Sequence, residues 1–220
     1  MNDIQKDYLI GLTLKKLKKY DLASIKEVNV NNDSYVENIE RFIEKYGKDL
    51  SIIEKIYHFI KSDEQLLQEN DINIEKIGLY NSIKTSDYYF TISQVDFISI
   101  LEVIQCYMKD YLPLGSVVKL NKEKLNIESS KDLIVVIEQR MIHPKGKQYY
   151  IDYRAIPYPM GIFNEQMYVY FSSEDIEEII FSGYSDPENE GYELALKESL
   201  IDNDILSISY QKDFDEEKSY

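Results

Sequence analysis

Apolar residues recur every three or four positions through the first half of the chain, which is the spacing of one face of an α-helix. Two segments with this spacing cover residues 35–46 and 50–60, and Gly47 between them predicts the end of the first helix. A further helix is predicted close to the start of the chain. Its expected apolar face comprises Ile4, Tyr8, Leu12 and Leu17.

A fourth helix is predicted from about residue 94 to residue 111. Ser93 comes directly before it and Asp96 follows three positions later, a pattern that resembles a capping box with Asp in place of Glu. Pro113 is expected to end the helix, because proline has no N–H to donate. Cys106 lies inside this apolar segment and is expected to be buried and unreactive. Four or five amphipathic helices are therefore expected before residue 111.

The spacing shortens to that of β-strands beyond Pro113. β-branched and aromatic residues dominate short runs there, and turn residues separate the runs. Ser172 or Ser173 is expected to cap a short helix, and a last helix is predicted around residues 194–201. The predicted strands cover residues 117–120, 133–137, 149–155 and 167–171.

Together these patterns predict an α+β protein. Residues 1–111 form the expected helical N-terminal half, which packs with a small antiparallel β-sheet domain in residues 112–210. The β-sheet domain is expected to carry the C-terminal helices. Residues 211–220 are expected to form an acidic tail.

The balance of charge limits the classes of partner. The chain has 220 residues, and 40 acidic against 25 basic ones give a net charge of −15. This argues against binding to nucleic acid or to anionic lipid, because both need a cationic surface. No segment is apolar over a length that would allow membrane insertion and no signal peptide is evident, so the expected location is the cytoplasm. The excess of acid is concentrated after Ser172, which favours either a solubilising surface or a docking surface for a basic protein.

Residues that could carry out chemistry are sparse. One cysteine and two histidines exclude an internal disulfide and a cysteine-based zinc cluster, and the eight glycines lack phosphate-binding spacing. Residues 186–191 place acidic residues and a glycine as an EF-hand loop does, but Lys197 stands where that loop requires a bidentate glutamate. We therefore expect no metal, no cofactor and no enzymatic activity.

Three ordered blocks of the C-terminal half resemble a known bacterial family. The first block is residues 112–120, which read LPLGSVVKL, and the second is the YIDYRAIPYPMG of residues 150–161. The third block runs from residue 171 to residue 186. In this order the blocks are similar to domain-of-unknown-function family 4176, and the resemblance covers about residues 112–201.

The resemblance implies a biological setting rather than a reaction. Members of this family are typically encoded beside type VII secretion genes and LXG toxins in Gram-positive bacteria. The implied function is that of a chaperone or targeting adaptor, whose partner is a secreted toxin or another type VII secretion accessory protein. The alternative is an immunity protein that neutralises a cognate toxin, because such a protein would have the same composition.

The expected partner-binding face combines a proline-rich loop with acidic residues. Pro157 and Pro159 are expected to hold the loop extended, so that presenting Tyr158 costs little conformational entropy on binding. The alternative is that Tyr158 caps the core and that the acidic residues are merely solvated. The predicted partner-binding residues are Tyr158, Pro159, Glu174, Asp175, Asp186 and Glu188.

Overall fold

The chain folds into two compact units, Met1–Lys109 and Asp110–Tyr220, which we call the N-terminal unit and the C-terminal unit. The computed structural model describes residues 1–20, 33–128, 130–162 and 167–210. The predicted acidic tail lies outside the described residues. No helix within the described ranges is long and apolar enough to cross a bilayer.

The N-terminal unit contains the predicted helices. They are α1 (Asp3–Tyr20), α2 (Asp33–Tyr46), α3 (Leu50–Lys61) and α4 (Gln94–Met108). Asp49 caps α3 by accepting hydrogen bonds from the backbone N–H groups of Ser51 at 3.1 Å and Ile52 at 3.3 Å. Gly47 follows α2 so closely that an added Cβ would lie 2.5 Å from the Ile43 carbonyl oxygen. The predicted break between α2 and α3 is confirmed.

Helix α1 is present, but the predicted apolar face was wrong. Ile4 and Tyr8 are exposed, whereas Leu17 is buried. The 3.6-residue period puts Leu17 roughly 140° around the helix from Ile4, so these residues cannot share a face. The buried face comprises Leu9, Ile10, Thr13, Leu14 and Leu17.

A four-stranded antiparallel sheet separates α3 from α4, and the sequence patterns had not predicted it. Its strands are β1 (Leu66–Glu69), β2 (Ile72–Ile77), β3 (Tyr80–Lys84) and β4 (Tyr89–Ser93), in the order β1-β2-β3-β4. Alternate residues of β2, β3 and β4 are buried, so one face of this sheet contributes to the core. The N-terminal unit is therefore helical with a meander inserted between its third and fourth helices.

The start of α4 matches the predicted cap. The Ser93 hydroxyl oxygen accepts the Asp96 backbone N–H at 3.1 Å, and the hydroxyl donates to the Asp96 carboxylate at 2.5 Å. The helix ends at Met108, three residues before the predicted end. Cys106 is buried, as expected.

The C-terminal unit is built on a six-stranded sheet. Its elements are β5 (Val117–Leu120), β6 (Leu133–Ile142), β7 (Tyr149–Pro157), β8 (Val169–Phe171), β9 (Ile176–Phe181), α5 (Pro187–Asp202) and β10 (Leu206–Ser207). The strand order is β10-β7-β6-β5-β9, and β8 pairs with β7. The pairings are antiparallel except for that of the two-residue β10 with β7. The predicted α+β fold class is confirmed.

The segment after β8 is a strand where a short helix was expected. The Ser172 backbone N–H donates to the Asp175 carboxylate at 2.8 Å, but this contact closes a single 3-10 turn, Ser173–Asp175. β9 then begins directly and pairs with β5. Three of its six residues are isoleucines, whose branched side chains favour strands. In the described part of the C-terminal unit, α5 is thus the single α-helix.

The sheet of the C-terminal unit is curled. β8 lies beside β7, and β9 lies at the far side of the sheet beside β5. The last residue of β8 and the first of β9 are five positions apart, a separation that an extended chain spans in at most about 17 Å. Across a flat sheet, four strand spacings would separate β8 from β9 by roughly 19 Å. The link is shorter than this, so the sheet curls and encloses the side chains on its inner face.

Candidate functional site

A buried carboxylate, Asp152 of β7, ties three elements of the C-terminal unit together. Its Oδ2 atom accepts hydrogen bonds from the Ser173 backbone N–H at 2.9 Å and from the Ser173 hydroxyl at 3.0 Å. Its Oδ1 atom accepts one from the Ser207 hydroxyl at 2.7 Å. Ser173 begins the turn before β9 and Ser207 lies in β10, so this carboxylate fastens both segments to β7.

A second buried polar group joins α5 to β6. Lys197 is 1% exposed, and its Nζ atom lies 2.9 Å from Oε1 of Glu193. Nη1 of Arg140 lies 3.3 Å from Oε2 of the same carboxylate. The Arg140 guanidinium also donates to the Asn189 backbone and side-chain oxygens at 3.2 and 2.8 Å. One buried carboxylate therefore faces two buried cations and holds α5 in place.

The Asp152 and Glu193 carboxylates have structural roles. The carboxylate oxygens of Asp152 and Glu193 accept donors of the protein itself, so their contacts serve packing. Within the described residues, no three His, Cys, Asp or Glu side chains are arranged to hold a metal ion. Asp152 fixes the turn before β9, and Glu193 fixes the helix after it. Both ends of β9 are thereby anchored.

β9 is an edge strand that exposes apolar side chains. It pairs with β5, and no other strand of the described residues pairs with it. Ile179, Ile180 and Phe181 are 53%, 48% and 60% exposed. Such an edge is a template for association with another chain, and edges are normally covered or blunted in proteins that stay monomeric. We call the unpaired side of β9, with these three side chains, the β9 edge.

A groove of about 490 Å³ lies beside the β9 edge. The first half of β9, residues 176–179, forms one wall. The remaining lining residues are Asp110, Leu112, Tyr153 and Ser173. Acidic side chains of Asp110, Glu177 and Glu178 contribute to this lining, and no basic side chain does, within the described part of the chain. The groove therefore combines apolar surface with negative charge.

Lys119 of β5 partly offsets this charge on the outer side of β9. Its Nζ atom lies 2.9 Å from the Glu177 carboxylate and 3.5 Å from that of Asp132. The hydrogen bond to Glu177 raises the pKa of Lys119 above its ordinary value, so the ammonium stays charged at neutral pH. Glu177 is thus engaged by Lys119, whereas the adjacent Glu178 side chain is exposed.

Tyr153 forms the aromatic part of the groove. Its hydroxyl oxygen accepts the Leu112 backbone N–H at 2.9 Å, and its ring stacks on Phe171 with the centroids 5.2 Å apart. Burial raises the pKa of Tyr153 to about 12, because the phenolate would lose solvation in this environment. The tyrosine therefore holds the Leu112 segment beside β9.

The Tyr153→Phe variant is expected to show a smaller dependence of stability on alkaline pH. A tyrosine in the unfolded chain ionises near pH 10, whereas Tyr153 ionises near pH 12 when folded, so its stabilising effect is lost between these values. At about pH 8 the variant should lose roughly 1–2 kcal/mol, because the Leu112 N–H loses its acceptor. Urea denaturation at a series of pH values measures the free energy of unfolding of the wild type and of Tyr153→Phe. The difference between these two free energies should shrink above about pH 10. Tyr158→Phe is the control, and a difference that is constant with pH would contradict the prediction.

The proline-rich loop is a tight turn, so the expectation of an extended loop was wrong. Tyr158 follows β7, is 57% exposed and donates its backbone N–H to the Ile134 carbonyl at 2.9 Å. The Gly161 backbone N–H then bonds to the Pro157 carbonyl at 2.9 Å, and Gly161 has φ +71°. This closed turn needs a positive φ, which glycine adopts without a steric cost. Tyr158 and Pro159 are both exposed on it.

The four predicted acidic residues fall at opposite ends of β9. Glu174 and Asp175 lie in the turn before the strand, and Asp186 and Glu188 lie at the start of α5 after it. The six residues of β9, which span roughly 17–20 Å, and residues 182–185 separate the pairs along the chain. The Asp175 carboxylate accepts the Ser172 N–H, and the Asp186 carboxylate caps α5 by accepting the Asn189 N–H at 2.8 Å. These two residues have structural tasks, Glu174 and Glu188 are exposed, and the partner-binding assignment of the whole set stays a prediction.

Residues of the β9 edge were missed because their spacing is ambiguous. Ile176, Ile179 and Ile180 stand at i, i+3 and i+4, which matches a helix as well as a buried-strand pattern. The β-branched composition was the available signal for a strand. Tyr153 is one of twenty tyrosines in the chain, and nothing in its spacing indicated that it lines a groove.

The resemblance of the C-terminal half to a known family is confirmed for most of its length. No curated protein and no solved structure gives a significant match to this chain. The family match begins just before β5 and ends within α5. Residues 111–191 match the model of the family described as Domain of unknown function (DUF4176).

Proposed function

We propose that the protein is a cytosolic chaperone or targeting adaptor that binds a type VII-secreted, LXG-type toxin before the toxin is exported. The observation that carries the proposal is the β9 edge. Three consecutive apolar side chains, each about half exposed, stand beside an acidic groove. An anchored strand with this surface suits the binding of another protein, because partner association removes the apolar area from water.

The negative charge of the surface suits rapid association with a cationic partner. Carboxylates around an interface mainly speed association and select cationic partners, while the apolar core of the interface sets much of the affinity. The net charge of −15 also keeps the unbound protein soluble despite the exposed strand. These properties support a binding protein. The setting in type VII secretion is what the resemblance to the DUF4176 family implies, and it is part of the proposal.

Co-purification with an LXG-type toxin from the same genome tests the proposal. We expect the tagged full-length protein to retain the toxin as a complex of defined stoichiometry, as measured by size-exclusion chromatography with light scattering. The toxin should remain enzymatically active within the complex, because a carrier has no need to block its active site. Absence of a complex would contradict the proposal, and a complex in which the toxin is inactive would indicate an immunity protein.

A further inference from the structure

The free side of β9 points to a specific binding mode. We propose that the β9 edge takes up an extended, cationic segment of another protein as an additional strand, with the apolar side chains of that segment entering the adjacent groove. The inference names a site for the proposed binding function, and it rests on that function only for the identity of the partner. The addition of a strand to β9 can be tested without the toxin.

Only one side of the β9 backbone is paired within the described residues. Antiparallel pairing with β5 uses the backbone groups on one side of the strand. The other side faces no strand within the described residues, so its N–H and C=O groups are available to an added strand. Strand addition obtains affinity from such main-chain hydrogen bonds and specificity from pockets for alternate side chains.

The groove provides those pockets. Cross-strand partners share a face of a sheet, and Ile179 is paired with the buried Val118, so Ile179 belongs to the inner face. Leu112 and Tyr153 line the groove together with Ile179. At about 490 Å³, the groove is within the range of ~300–1,000 Å³ that is typical of binding pockets. Apolar side chains on one face of an added strand would therefore contact these three residues.

The negative charge beside β9 favours a cationic segment as the added strand. Glu178 lies opposite Lys119 in the β5–β9 register, on the outer face of the sheet. The Glu178 side chain is exposed beside the free side of β9. Antiparallel pairing of two β9 strands with Glu178 opposite Glu178 would set two like charges directly across from each other, between chains of net charge −15. Like charges destabilise such a pair. A second copy of this chain is therefore a poor occupant, and a segment with alternating apolar and Lys or Arg residues is a good one.

Selection from a random dodecapeptide library on the immobilised full-length protein tests this inference. We expect the recovered peptides to alternate β-branched or aromatic residues with Lys or Arg and to lack proline in their centre. Glu178→Lys and Ile179→Lys should each weaken the binding of a recovered peptide by about tenfold or more, as measured by fluorescence anisotropy. The matched controls are Glu54→Lys, an exposed acid on α3, and Leu79→Lys, an apolar residue of the N-terminal unit that is 79% exposed. Both controls should bind within about twofold of the unchanged protein.

Backbone N-methylation separates strand addition from simple hydrophobic contact. Two variants of a recovered peptide would be compared, one with N-methyl groups on its odd-numbered amides and one with them on its even-numbered amides. One variant should lose binding and the other should bind almost as before, because only one edge of an added strand pairs with β9. Hydrogen exchange should show protection of the amides of residues 176–181 on peptide binding. This readout does not depend on the folding of Ile179→Lys.

Three results would overturn the inference: no enrichment of peptides, equal binding by both N-methylated variants, or protection confined to other residues. Each can occur while the toxin still binds, which would leave the proposed function standing and move the interface elsewhere. Conversely, peptide binding at β9 together with failure to bind the toxin would reject the proposed function and retain the binding mode.

Discussion

Glu193→Gln should destabilise the C-terminal unit by about 3–5 kcal/mol, which is the usual cost of removing one partner from a buried ion pair. Glu193 is the carboxylate between Arg140 and Lys197, and all three side chains are at least nine-tenths buried. A neutral glutamine would leave two desolvated cations without their shared counter-charge. Native-state hydrogen exchange of the β6 and β7 amides measures this loss locally, so it does not require the whole chain to unfold in one step.

Two further variants make the Glu193 prediction specific. Glu188→Gln changes an exposed acid in the first turn of the same helix and should cost less than about 1 kcal/mol. The double variant with Glu193→Gln and Lys197→Met should be more stable than Glu193→Gln alone, because one of the two buried cations that face the lost carboxylate is removed. Equal stability of Glu193→Gln and Glu188→Gln would show that the buried pair contributes little.

Asp152→Ala should cost a similar amount and should loosen β9 as well. The substitution removes the acceptor of the Ser173 N–H, the Ser173 hydroxyl and the Ser207 hydroxyl. Each buried donor left without a partner costs about 1–3 kcal/mol, so a total of roughly 3–5 kcal/mol is expected after partial relaxation. Because Ser173 begins the turn before β9, hydrogen exchange of residues 176–181 should accelerate more than that of β6.

The matched control for Asp152 is Asp202→Ala, at the exposed end of α5. Removing an acid near a helix C-terminus is neutral or slightly favourable, so a change within about 0.5 kcal/mol is expected. If Asp152→Ala accelerated exchange in β6 and β9 equally, the carboxylate would be a general core contact and not an anchor of the edge strand.

The sequence was sufficient to predict the elements whose spacing is unambiguous. α2 and α3 show a full apolar stripe, and Ser93 with Asp96 is a local capping signal, so both features were predictable without the tertiary structure. The strands β1 to β4 are only four to six residues long and alternate with polar residues, which gives a weak signal. The buried face of α1 depends on what packs against the helix, and residue spacing near Ile4 does not contain that information.

The candidate site was less predictable because long-range pairing creates it. The isoleucine spacing of β9 satisfies a helical pattern, and the strand forms because β5, far earlier in the chain, offers a free edge. The acidic character around β9 was visible from composition, whereas the groove requires the curl that brings Leu112, Tyr153 and β9 together. Local turn chemistry also determined the loop at Tyr158, where Gly161 closes a turn that two prolines alone suggested to be extended.

Export of the proposed toxin partner from living cells would show whether the protein acts as a carrier. Toxin in the culture supernatant would be measured in a strain lacking this protein and in the same strain complemented with the wild type, with Glu178→Lys or with Glu54→Lys. We expect export to be lost without the protein, restored by the wild type and by Glu54→Lys, and poorly restored by Glu178→Lys. The cells should remain unharmed by their own toxin throughout. Normal export from the deletion strain, combined with self-intoxication of its cells, would contradict the carrier function and identify an immunity protein.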